Sequence, residues 1–141
     1  MIVYPDSSFL ASHYLTDGHS AEAVQLMALN PRVLITPFHR AEVANAIFQW
    51  VFRSRILASA AELAYADFTR DCESGVWLSV NPPENSFATC VDLTHRHTGI
   101  IGCRTLDTLH VAAALELNVD AFWTFDQRQA RLAEAEGLAV L

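Results

Sequence analysis

Residues Ile2-Val3-Tyr4-Pro5-Asp6-Ser7-Ser8-Phe9-Leu10 decide how this chain reads. Three apolar residues make a short strand, a proline closes it, and the acid that follows stands where a helix begins. The pattern returns downstream. Val33-Leu34-Ile35 reads as a strand, and Thr36-Pro37 as an N-cap followed by proline at the first helical position. Ala121 to Phe125 reads as another strand, with Asp126 starting the next helix. Strands alternating with helices predict an α/β fold, a parallel sheet covered on both faces and joined by right-handed crossovers. In open sheets of this kind ligands bind along the edge formed by the carboxyl ends of the strands.

Between these landmarks the helical periods are clear. Ser7 and Ser8 are placed to cap a helix carrying Phe9, Leu10 and Tyr14, which Gly18 breaks. Ala21 to Leu29 repeats apolar residues at helical spacing, and Asn30-Pro31 is a turn. The helix after Pro37 runs to about Arg53, and an alanine-rich one follows from about Ala58 to Glu73, stopped by Gly75. Val76 to Val80 is a third strand, closed by Asn81-Pro82-Pro83. A helix from about Glu84 to His97 leads into a glycine-punctuated loop, Thr98 to Gly102. Thr105 then caps a helix through Leu117, Gly137 ends the helix begun at Asp126, and Leu138 to Leu141 is a small last strand. No repeat, linker or low-complexity tract interrupts the sequence, so residues 1–141 are expected to form one domain.

A chain of 141 residues is long enough to bury roughly two-thirds of its unfolded surface. Apolar residues make up 52% and charged residues 18%, an apolar excess that leaves surface for a partner as well as a core. No apolar run approaches the ~18 to 20 residues of a transmembrane helix. The start has no basic region of the kind that opens a secretory signal. The expected location is the cytoplasm, with no membrane association. Cys72, Cys90 and Cys103 are odd in number and lack a C-x-x-C spacing, which speaks against a disulfide framework or a thiolate zinc site and for a reducing compartment.

Four acids, Asp6, Glu42, Asp107 and Asp126, fall beside strand ends or near helix starts, places the fold would bring to one edge. Each has a purely structural reading. Asp6 and Asp126 can cap the helices they precede, Asp126 with Gln129 at capping-box spacing. Asp107 sits in a first turn, where the helix dipole favours an acid. Glu42 heads a polar stripe with Asn45, Gln49 and Arg53 that can simply face solvent. Gathered on one edge, however, four carboxylates repel unless something positive joins them, and one or two hard divalent cations with oxygen ligands fit best. Net charge is −7, which by itself argues against a nucleic-acid partner, but four of the sixteen acids are these candidate ligands. All nine basic residues are Arg, with no Lys.

At this point the sequence resembles a family. The strand closing in Asp6-Ser7-Ser8, the segment Ala41-Glu42-Val43-Ala44-Asn45-Ala46, the stretch Arg104-Thr105-Leu106-Asp107-Thr108-Leu109-His110 running on to Ala114, and Thr124-Phe125-Asp126 with Gln129 are together similar to the motifs of the PIN domain, in particular the toxin ribonucleases of the VapC type. The likeness covers essentially the whole chain. It implies a three-layer α/β/α sandwich with sheet order 3-2-1-4-5, bound Mg²⁺ or Mn²⁺, RNA as substrate, and a cognate antitoxin of the VapB type. Asp6, Glu42 and Asp107 would be the core catalytic and metal-binding residues, and Asp126 would complete a second or weaker metal position. Thr124 and Asn45 would orient ligands or water from behind. Arg104 and Arg40 are the candidates for contacts with RNA phosphate. A homodimer is also expected.

The chemistry suits the residues. Phosphodiester hydrolysis needs a water made nucleophilic near neutral pH, stabilised charge on the phosphate and help for the leaving oxygen, all of which metal ions supply. The six histidines offer a rival, metal-free route through the RNA 2′-hydroxyl. His95 and His97 end a helix as ordinary solvated side chains, His110 lies one turn from Asp107, and His39 with Arg40 opens the Glu42 helix where both could face phosphate. Two other functions stay open. One is a catalytically silent PIN-fold binding module. The other is a metal-dependent phosphoryl-transfer protein with an acidic pocket, against which the missing lysine counts, since receiver domains and haloacid-dehalogenase-like phosphatases both depend on one.

Overall fold

The strand β1 (Ile2–Pro5) takes the middle of the sheet because both its faces are apolar: Val3 and Tyr4 point to opposite sides and both are fully buried. The structure is a computed structural model describing residues 1–141. After β1 come α1 (Ser7–Tyr14), α2 (Ser20–Met27), β2 (Arg32–Ile35), α3 (Pro37–Phe52) and α4 (Ala58–Ser74). Then follow β3 (Trp77–Ser79), α5 (Ser86–Leu93), a π-helical turn (Thr94–Thr98) and α6 (Gly99–Ile101). The chain closes with α7 (Thr105–Glu116), β4 (Ala121–Trp123), α8 (Gln127–Ala135) and β5 (Ala139–Val140). The five strands pair in the order β3-β2-β1-β4-β5, every pair parallel, as expected. Register sets Val3 beside Val33 on one flank and Pro5 beside Trp123 on the other.

Alternation along the strands divides the core into two layers. Val3, Val33, Ile35, Trp77, Ala121 and Trp123 pack with side chains of α1, α3 and α4, including Phe9, Val43, Ile47 and Phe68. Tyr4 and Phe122 face the other way, onto Cys90, Leu93, the run Leu109 to Ala114, and Leu132 of α8. The result is the three-layer sandwich. The two buried tryptophans on strands each remove about 150–250 Å² from water and anchor the first layer. No helix is long and apolar enough to cross a membrane.

Several local expectations shift. Of the capping candidates for α1, Asp6 rather than Ser7 or Ser8 is the N-cap, its Oδ1 accepting from Phe9 N–H at 2.9 Å. Arg104, not Thr105, occupies the N-cap position of α7. Residues 98–102 are not a loop: the chain stays helical to Ile101 and stops at Gly102, whose φ of +78° is the left-handed conformation glycine adopts freely. The cause is tertiary. Arg96 in the π-helical turn bridges Asp92 and Glu136, and His97 Nε2 lies 2.5 Å from Glu136, so residues beyond α8 hold this stretch wound.

Candidate functional site

Asp6 lies just past the carboxyl end of the central strand, where its own N–H donates to Trp123 O at 2.8 Å. It is 4% exposed and no cation touches it. Its carboxylate is held by neutral donors alone. Ser8 Oγ sits 2.7 and 2.8 Å from the two oxygens, Phe9 N–H donates at 2.9 Å, and Thr124 Oγ1 lies 2.8 Å from Oδ2. Burial pushes the Asp6 carboxyl above its ordinary range, and the hydrogen bonds from Phe9, Ser8 and Thr124 only partly oppose that. Thr124 also lies 3.0 Å from Gln129 Oε1 and accepts from Asp126 N–H at 3.0 Å. Gln129 Nε2 donates in turn to Asp107 O at 3.0 Å. One polar chain thus runs from β1 through β4 and α8 to α7.

Glu42 projects from the second turn of α3 and is half-buried. Ser7 Oγ donates to its Oε1 at 3.1 Å, and His110 Nε2 contacts the same oxygen. Tyr4 fixes the histidine from behind, with its hydroxyl 3.0 Å from His110 Nδ1. Burial drives the Tyr4 hydroxyl well above its ordinary value, so it stays protonated and donates. His110 Nδ1 then accepts and its Nε2–H points at Glu42. Burial raises the Glu42 carboxyl, but His110 and the Ser7 hydroxyl together outweigh it and the net shift is downward.

His39 does not face phosphate. It is fully buried, its Nδ1 accepting from Thr36 N–H at 2.8 Å and its Nε2–H donating to Pro5 O at 2.7 Å. Burial holds it well below the ordinary histidine range. In that neutral form it pins the start of α3, which carries Glu42, to the residue before Asp6.

Asp107 and Asp126 follow their structural readings in part. Asp107 Oδ2 accepts from Arg104 N–H at 3.2 Å, and Asp126 Oδ1 accepts from Arg128 and Gln129 N–H at 2.8 and 3.1 Å. Both stand near Cys103. Burial first, and then these two acids, push its thiol up to about 11. As placed, no three acids, with or without His or Cys, converge as a closed metal cage. The donor set nonetheless fits a hard cation: oxygen-only carboxylates, the central one buried, ionisable and without a positive partner.

Asn45 shares a depression of about 270 Å³ with Glu42, Ser7, Ser8 and Leu106. The guanidinium of Arg40 donates to Ser79 Oγ at 3.1 Å and lines a separate cavity of about 150 Å³ above β2 and β3, with Thr36 and Asn81. Arg104 is exposed at the mouth of α7, and no carboxylate pairs with either arginine. From sequence, capping is the preferred reading for Ser7 and Ser8, and packing for His110 over a place near the site; all three in fact contact the carboxylates. Their adjacency to Asp6, and the spacing of His110 one helical turn from Asp107, were the available signals.

The sequence profile of the PIN domain matches residues 3–135. The chain belongs to the PIN domain family. Two solved structures carry the same fold. Mycobacterium tuberculosis VapC20, described as a sarcin-ricin loop cleaving toxin, superposes with a TM-score of 0.71 at 19% identity, over 97% of this chain and 96% of that one. FitAcB from Neisseria gonorrhoeae does so with a TM-score of 0.67 at 15% identity, over 100% of this chain and 96% of that one. At such identities the likeness is one of fold. No curated protein matches the sequence. Within this PIN domain Asp6 and Asp126 follow β1 and β4, while Glu42 lies on α3 and Asp107 on α7.

Proposed function

We propose that this PIN domain is a Mg²⁺- or Mn²⁺-dependent endoribonuclease, the toxin of a toxin–antitoxin pair acting in the cytoplasm. One observation carries the reading: Asp6, buried at the carboxyl edge of the sheet, is held by hydroxyls and an amide and by nothing positive. Family membership and the fold shared with a sarcin-ricin loop cleaving toxin support it. Asp6, Glu42 and Asp107 would hold the metal, with Asp126 at a second or weaker position. When bound, the metal supplies an activated water and neutralises charge on the phosphate. The protein's own side chains prepare the place. Thr124 and Ser8 fix the plane of the Asp6 carboxylate, His110 and Ser7 fix that of Glu42, and Asn45 faces the same depression. Arg40 and Arg104, free of carboxylate partners, would receive RNA phosphates bidentately.

The histidine route loses support. His39 is sealed in the core, His95 Nδ1 lies 2.8 Å from Val91 O, His97 is paired with Glu136 and His110 with Glu42. The silent-module alternative draws on Asp107 and Asp126, which serve as helix caps. It expects RNA binding without cleavage. Assay of purified protein on RNA decides between them: cleavage that needs Mg²⁺ or Mn²⁺, stops with chelator and is abolished in Asp107→Asn is the expected result. Full activity in chelator would overturn the metal reading.

The antitoxin is the proposed partner. Phe52, Leu57 and Leu63 are 83%, 76% and 69% exposed around the α3–α4 turn, with Phe48 beside them. Leu57 also lines a depression of about 360 Å³ together with Val51 and Ile56. Such a surface suits the apolar face of a partner helix. Self-association into a dimer is proposed as well, to be read by light scattering.

A further inference from the structure

Beside the acidic edge lies a second depression, of about 340 Å³, lined by Ser8 and Asp126 of the candidate site and by Asp17, His19 and Phe125. Its wall is aromatic. His19 stacks on Phe125 with ring centroids 4.3 Å apart and planes 11° from parallel. Phe125 rests in turn on Phe9, centroids 5.8 Å apart and planes 28° from parallel, and Phe9 is fully buried. The stack therefore grows outward from the core. His19 is exposed, and the face of its ring away from Phe125 has no aromatic neighbour.

The turn that presents His19 is built rather than loose. Asp17 Oδ2 accepts from Ser12 Oγ at 2.7 Å, and its Oδ1 accepts from His19 N–H at 2.8 Å. Ser20 Oγ accepts from Asp17 N–H at 2.9 Å and donates to Leu15 O at 2.7 Å. Ser12, the anchor of this network, is buried. These bonds tie the end of α1 to the start of α2, and in doing so they hold His19 with its ring flat on Phe125 in the depression shared with Ser8 and Asp126.

We propose that the His19–Phe125 stack is a platform for an unpaired RNA base next to the scissile phosphate. The proposal rests on the ribonuclease reading and adds to it where a nucleobase is seated. Single-stranded RNA is commonly gripped by stacking its bases on aromatic faces, which every base offers whatever its sequence. Because Ser8 touches both Asp6 and the depression, a base on His19 belongs to a nucleotide directly flanking the one under attack. The Asp17 carboxylate at the same wall offers acceptor oxygens to the donors of an unpaired base edge, exocyclic amino groups among them. Adenine, cytosine and guanine carry such an amino group and uracil does not, so those three are favoured over uracil.

The test uses a short fluorescein-labelled single-stranded RNA, with binding read by anisotropy in chelator so that nothing is cut. His19→Ala is expected to weaken binding about 10-fold, the effect of one lost base–aromatic stack, with the salt slope unchanged because no phosphate contact goes. His19→Phe, which keeps the ring and cannot be charged, is expected to bind as the parent does. An RNA with an abasic residue at the seated position should bind parent and His19→Ala alike. Equal binding of parent and His19→Ala, or equal weakness of His19→Phe and His19→Ala, overturns the platform. Were that seen while the parent still cleaves RNA with metal, the platform alone would fall. A parent that neither binds nor cleaves RNA removes the ribonuclease reading with it.

Discussion

Asp6 is a carboxylate kept where charge is costly, and that fixes what its removal does. Its folded-state value is raised, so the stability it contributes is present at pH below the ordinary carboxylate range and is lost as pH rises through the raised value. Asp6→Asn escapes that loss. The amide oxygen still accepts from Phe9 N–H, and Thr124, facing an amide donor, can turn its proton to Gln129 Oε1 at 3.0 Å. In chelator at neutral pH the variant is expected to melt about 3 °C above the parent, corresponding to about 1 kcal/mol, with the gap closing as pH falls. Cleavage should vanish at every pH. A lower melting temperature at neutral pH would show that the hydrogen bonds, not desolvation, dominate this position. His110 is the second informative residue, since it acts through Glu42. His110→Phe keeps the buried bulk but frees the carboxylate to rotate, and cleavage at fixed Mg²⁺ should drop about 10- to 100-fold. Raising the metal concentration should restore part of it. Loss of the fold, seen in circular dichroism, would instead make His110 a packing residue.

At the scale of elements, one hydrogen-bonded chain joins three of them. Trp77 of β3 donates to the Tyr14 hydroxyl of α1, which donates to Asp71 of α4 at 2.5 Å. Tyr14→Phe strands a buried indole N–H and an acceptor together, and urea unfolding should show a loss of about 1–3 kcal/mol with RNA cleavage at low temperature unchanged. The strands and the acids at their ends were legible because their signals are local: apolar runs, then Pro5-Asp6, Thr36-Pro37 or Asp126 with Gln129. The order of the sheet came with the family resemblance, not with the periodicity. What stayed hidden depends on distant partners. No local pattern says that residues 98–101 stay wound, because the reason is Glu136, bound by Arg96 and His97. Ser7 and Ser8 read as caps because cap and ligand share one chemistry, and only the finding that Asp6 itself caps α1 releases them for the carboxylates. His39 looked available beside Arg40 in sequence, yet one turn of helix points it into the core.

For the molecule as a whole, the chemistry shows in its products. Hydrolysis by an activated water leaves a 5′-phosphate and a 3′-hydroxyl, whereas attack by the ribose leaves a 2′,3′-cyclic phosphate, and end-mapping of the fragments separates the two. The first outcome is expected, since His110 and His39, the histidines beside Glu42 and Asp6, are already engaged. Co-purification with a neighbour-encoded antitoxin should give a complex in which cleavage is suppressed and Phe52 is shielded from solvent. A lone, harmless monomer would count against the toxin. The sheet order has one more consequence, in time rather than space. The strand made first lies in the middle, and the Asp6 N–H waits for Trp123 O, as its carboxylate waits for Thr124. A ribosome must therefore deliver most of the chain before the edge closes, and no nascent fragment holds it assembled. If the chain is the ribonuclease proposed above, the message being translated would thereby be spared by its own unfinished product.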